Sequence, residues 1–171
     1  DRTVSKANHD WVQFKVIYDN YFETLGRMKL GVYSEMFPSS KPFFSNYTAS
    51  LLSLPQSSPV PWSQTLFLPD FRANAYVTVG SKNSFKLTKY ADFRMECYVI
   101  QPFNPVLETE QQKAKFGKSF SDRAFMGMGA VVLHTPLGPV SLSVNYFDKE
   151  TESWSVVFSI GYLLFNRSAM D

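Results

Sequence analysis

The sequence predicts an all-β fold, an antiparallel transmembrane β-barrel of about eight strands, and three observations carry that reading. Apolar and polar residues alternate with a period of two through several segments; aromatic residues reach 16% of the chain against 19% charged; short and long connections alternate between the segments. A transmembrane strand needs only about 9–11 residues, with every second side chain apolar. Such a chain averages close to neutral, and its mean hydropathy is −0.17. No window holds the roughly 18 consecutive apolar residues that a membrane-crossing helix requires.

Near the N-terminus Val12, Phe14, Val16 and Tyr18 oppose Gln13, Lys15 and Asp19, which predicts a first strand. Met28, Leu30 and Val32 oppose Lys29, Tyr33 and Glu35 in a second. Weaker segments at 43–53 and 71–80 supply a third and a fourth. In the fifth, Phe85, Leu87, Phe93, Met95, Cys97 and Val99 share one parity, against Lys86, Thr88, Tyr90, Asp92, Arg94, Glu96 and Tyr98. So charged a face suits a barrel interior. The sixth segment, 121–135, alternates Gly127 and Gly129 with Met126 and Met128, which leaves its parity open. Val140, Leu142, Val144 and Tyr146 against Ser141, Ser143 and Asn145 mark the seventh. Trp154, Val156, Phe158, Ile160, Tyr162 and Leu164 against Ser153, Ser155, Ser159 and Gly161 mark the last, the former set being its expected lipid face.

The long connections 54–70 and 101–120 fall on one side of this scheme, together with the turns at 24–26 and 148–152. The short connections 80–84, 135–139 and 37–42 fall on the other, as short periplasmic turns and long extracellular loops do in outer-membrane barrels. Residues 108–115 alone carry some helical character and read equally well as a solvated loop, so no convincing helix is expected. Tyr18, Tyr21, Phe22, Tyr146, Phe147 and Trp154 cluster near strand ends, as interfacial girdles do. Lys15, Asp19, Lys29, Glu35, Lys86 and Arg94 read as a lumenal lining. The alternative on pattern alone is a β-sandwich with aromatics at its rim.

Residues 1–171 read as one domain without a linker, and a chain opening on Asp1 reads as a processed protein or a fragment. A net charge of +2 with scattered Lys and Arg gives no clustered phosphate-binding surface, so no nucleic-acid partner is expected. The lone Cys97 excludes an intramolecular disulfide and paired CxxC metal motifs. Gly-x-Ser-x-Gly is absent, and His9 and His134 lack partners at ligand spacing, so this segment is expected to carry no catalytic site, metal or cofactor. His134, at a strand end, reads as a structural hydrogen-bonding group; Asn46-Tyr47-Thr48 and Asn166-Arg167-Ser168 are accidental sequons.

At 135–165, TPLGPVSLSVNYFDKETESWSVVFSIGYLLF resembles the last two strands of the bacterial surface-antigen family, the BamA-like barrels of outer-membrane assembly and translocation. The likeness is closest to the barrel appended to patatin-like phospholipases of Gram-negative bacteria, where a Thr-Pro-x-Gly-Pro turn precedes the penultimate strand and a Gly-Tyr pair marks the final one. It runs more thinly through 92–103 and 66–76. The resemblance implies the C-terminal half of a sixteen-stranded barrel in the bacterial outer membrane. It also places Phe71-Arg72-Ala73-Asn74 where the family's lumenal loop carries Val-Arg-Gly-Phe, with Ala73 and Asn74 departing from the motif. An arginine pointed into an interior needs a carboxylate, so Arg72 is expected to pair with Glu96, with Asp92 as a second candidate. The alternative is a solvated strand-entry residue.

Three readings follow: membrane anchor or translocation barrel for an N-terminal patatin-like lipase domain; an assembly or insertase barrel; a non-enzymatic β-structural binding module. In a bilayer, half a barrel needs further strands, from an N-terminal portion, another chain or a second copy, with membrane lipid as its other partner.

Overall fold

The computed structural model describes residues 10–23, 26–42, 44, 46–103, 105–109, 113–120, 122–150 and 152–161. It is an all-β protein: β1 (Val16–Glu23), β2 (Met28–Phe37), β3 (Tyr76–Lys86), β4 (Ala91–Pro102), β7 (Ala124–Thr135), β8 (Gly138–Phe147) and β9 (Trp154–Ile160) form one antiparallel sheet in that order. Between β4 and β7, β5 (Val106–Glu108) and β6 (Ala114–Phe116) pair as a separate small hairpin. β1 and β9 are the sheet's two edges.

The register puts the charged residues of the seven long strands whose side chains are described on one face. The 38–75 connection packs on that face, whereas among the described residues nothing covers the opposite, bare face. Period-2 alternation does this directly, because successive side chains in a strand point to opposite sides. The lining residues Lys15, Asp19, Lys29, Glu35, Lys86 and Arg94 take the covered parity, as their alternation predicts. In β7 the open parity resolves with Met126 and Met128 on the covered face and Gly127 and Gly129 on the bare one.

Four expectations about elements are corrected. Segment 43–53 is no strand; Tyr47–Ser53 is a helix, α1, whose cap Asn46 accepts the Ala49 N–H at 2.9 Å. This cap satisfies one orphan donor of the first turn, and Asn46 is the sequon asparagine. Residues 80–84 are no turn either, since β3 runs through them and reverses at 87–90, splitting the expected single strand 85–99 into a hairpin. Parity survives because Phe85 pairs with Phe93 and Lys86 with Asp92. The 37–42 connection merges into the long 38–75 segment. Of the expected 24–26 turn, residues 24 and 25 lie outside the described residues. Finally, within 108–115, Glu108 belongs to β5 and Ala114 and Lys115 to β6, so both ends of the expected loop are strand. Connections 54–70 and 101–120 do share one end of the sheet, as expected.

Candidate functional site

Several charges of the covered face are paired. Glu35 is fully buried and accepts the Tyr76 hydroxyl at 2.7 Å, the Tyr33 hydroxyl, and the Lys15 ammonium at 2.7 Å. Two strands further, Glu96 accepts the Tyr98 hydroxyl at 2.7 Å and stands opposite Lys82, whose ammonium donates to both Asp19 oxygens at 3.1 and 2.9 Å. Asp92 binds His134 Nε2 at 2.7 Å, a structural contact of the kind expected for that histidine. Buried carboxylates cost several kcal/mol unless hydrogen-bonded or paired, and these are. A signal for the two buried glutamates was available: Tyr33 and Glu35, like Glu96 and Tyr98, stand two apart on one strand face.

The 38–75 connection lies over the part of this face around Tyr33 and Tyr98. Val60, Leu68 and Phe71 are buried with Tyr33, Tyr98, Ile100, Met126 and Phe147 in one apolar cluster. Phe71 meets Phe147 edge to face, with ring centroids 6.2 Å apart. Phe147, expected in an aromatic girdle, is therefore under the loop; Tyr18, Tyr21, Phe22 and Trp154 are exposed, and the Trp154 ring tilts against Tyr146 with centroids 4.9 Å apart. Ser57 Oγ and Thr78 Oγ1 bond at 2.6 Å, fastening the segment to β3. Burial raises the Asp70 carboxyl above its ordinary range, against the nearby Lys149.

The expected pairing of Arg72 with Glu96 or Asp92 is not made. Arg72 donates from one guanidinium nitrogen to the Leu54 carbonyl at 2.9 Å and the Leu52 carbonyl at 3.5 Å, and lies 4.6 Å from the Phe67 ring centre. Burial pushes its pKa down. Carbonyl oxygens and an aromatic face stabilise the cation within its own loop, while Glu96 and Asp92 are served by Tyr98 and His134. Arg72 thus ties the base of the segment to α1's end.

Phe71→Ala removes a fully buried ring and should cost about 3–5 kcal/mol in loop docking. The Ser57 amide, which donates to the Phe71 carbonyl at 3.0 Å, should then exchange its hydrogen about a hundredfold faster or more, with β4 and β7 amides unchanged.

On the final strand Trp154, Val156, Phe158 and Ile160 are 62–70% exposed on the bare face; Tyr162 and Leu164 lie outside the described residues. Comparison with known protein families, with curated proteins and with solved structures returns no match.

Proposed function

We propose that this chain is the C-terminal part of a bacterial outer-membrane β-barrel, bare face to lipid and covered face to the interior. Its role is membrane anchor or translocation barrel for an N-terminal patatin-like lipase domain. The observation that carries this reading is the segregation of charge: among the described residues no charged side chain stands on the bare face of any of the seven strands. Leu30, Val32, Val79, Met95, Phe125, Val131, Leu142, Val156 and Phe158 are all exposed there. Monomeric water-soluble proteins rarely expose contiguous apolar patches above a few hundred Å². The polar exceptions are uncharged, and Ser81 and Asn83 bond each other at 3.1 Å.

Strand length and topology support the same reading. The inner strands have 10 to 12 residues, close to the 9–11 that span hydrocarbon. A single two-residue turn at 136–137 lies at the end opposite the long connections. Hydrocarbon tolerates no open sheet edge, so β1 and β9 meet further strands of a sixteen-stranded cylinder, from elsewhere in the protein or from a second chain. The likeness at 135–165 supports the lipase-linked branch.

Membranes from cells making the full-length protein should retain it through an alkaline carbonate wash and release it in detergent. Release by carbonate alone would reject the barrel. A Gly-x-Ser-x-Gly elbow upstream would uphold the lipase link, and repeated small α/β modules there would move the assignment to an assembly barrel.

A further inference from the structure

At the short-turn end of the covered face, a groove of about 610 Å³ is lined by Arg27, Lys29, Lys86 and Arg94, with Tyr21 and Ser84. Two transverse rows place these cations together. Lys29 faces Ser84, which faces Arg94; one step toward the turns, the Arg27 carbonyl accepts the Lys86 N–H at 2.8 Å and Lys86 faces Asp92. Neighbouring strands lie about 4.8 Å apart and same-face residues about 6.8 Å apart along a strand, so the cations share a small area. Asp92, the carboxylate lining the groove, is engaged by His134. Arg27, Lys86 and Arg94 form no ion pair among the described residues.

Like charges on adjacent strands destabilise a sheet. A bound anion relieves that repulsion, and two arginine forks with a lysine and a serine hydroxyl match an oxyanion with several acceptor oxygens. We infer that this groove binds a phosphate-bearing anion, either a free phosphate or pyrophosphate or a phospholipid headgroup. The inference is independent of what the bare face meets, because it concerns the opposite side of the sheet.

Inorganic pyrophosphate titrated calorimetrically into the full-length protein in neutral detergent, at constant ionic strength, should bind saturably. Arg94→Gln combined with Lys86→Gln should weaken binding by about tenfold or more, and Lys113→Gln, at the other end of the sheet, should leave it unchanged. In the unaltered protein pyrophosphate should protect Arg27 and Arg94, but not Arg123, from phenylglyoxal. Absence of saturable binding, undiminished binding by a folded double variant, or unaltered arginine modification overturns the site. Displacement of bound pyrophosphate by short-chain phosphatidylglycerol assigns a lipid headgroup; its persistence assigns a free phosphate, and either upholds the anion site.

Discussion

Gly80→Ala should destabilise the sheet by about 1–3 kcal/mol or more, as overpacking of a well-filled interior does. A Cβ at Gly80 collides with the Tyr98 ring edge at Cδ1, 2.7 Å from Cε1, and lies 2.8 Å from the Cys97 carbonyl oxygen. Tyr98 cannot yield easily: it is fully buried, its hydroxyl is held by Glu96, and Tyr33 packs edge-on against it with centroids 5.5 Å apart. Gly129→Ala provides the matched control, because a Cβ there meets nothing within 4 Å. Urea unfolding should show a lowered midpoint with unchanged slope for Gly80→Ala and a near-unaltered midpoint for Gly129→Ala. Equal midpoints would show that the ring does not need the space above Gly80.

Val144→Arg should cost about 2–4 kcal/mol in a bilayer, the range for a cation at the lipid-facing midplane of a barrel. Val144 stands in the middle of β8, exposed on the bare face and paired with Gly129 and Val156. On a water-facing sheet the same change falls within about 0.5 kcal/mol. Folding into vesicles, followed by protease protection, separates the two, with a large deficit for Val144→Arg expected and an unaltered yield contradicting the lipid assignment.

Much of the architecture was legible because strand alternation survives errors in strand boundaries. Val140 to Tyr146 and Trp154 to Ile160 lie on the bare face as their parity predicts, and so does the Phe93, Met95, Cys97, Val99 set. Turn placement was less legible. Gly80 with Ser81, Lys82 and Asn83 reads locally as a reversal, but the glycine serves a ring three-dimensionally adjacent and distant in sequence. Tertiary contact overrode turn propensity there. Likewise α1 is only seven residues long, too short for a helical period to stand out, and its one strong mark was Asn46 at the cap.

The partners of Arg72 were mispredicted for a related reason. An enclosed guanidinium needs acceptors, but its charge does not fix which acceptor the chain brings nearest. Carbonyls at 52 and 54 stand closer than any strand carboxylate because the segment doubles back on itself, with the Ala73 N–H donating to the Pro55 carbonyl at 3.4 Å. The Tyr33-to-Glu35 and Tyr98-to-Glu96 bonds, by contrast, connect residues two apart in one strand and could have been read from spacing.

Cys97, the chain's single cysteine, is exposed on the bare face in the middle of β4, with Gly127 beside it. A nitroxide attached there in the full-length protein, reconstituted into vesicles, reports its surroundings through collisions with apolar oxygen and with a water-soluble nickel complex. Frequent oxygen collisions with few nickel collisions are expected; nickel collisions as frequent as those of a nitroxide in open water would contradict the account.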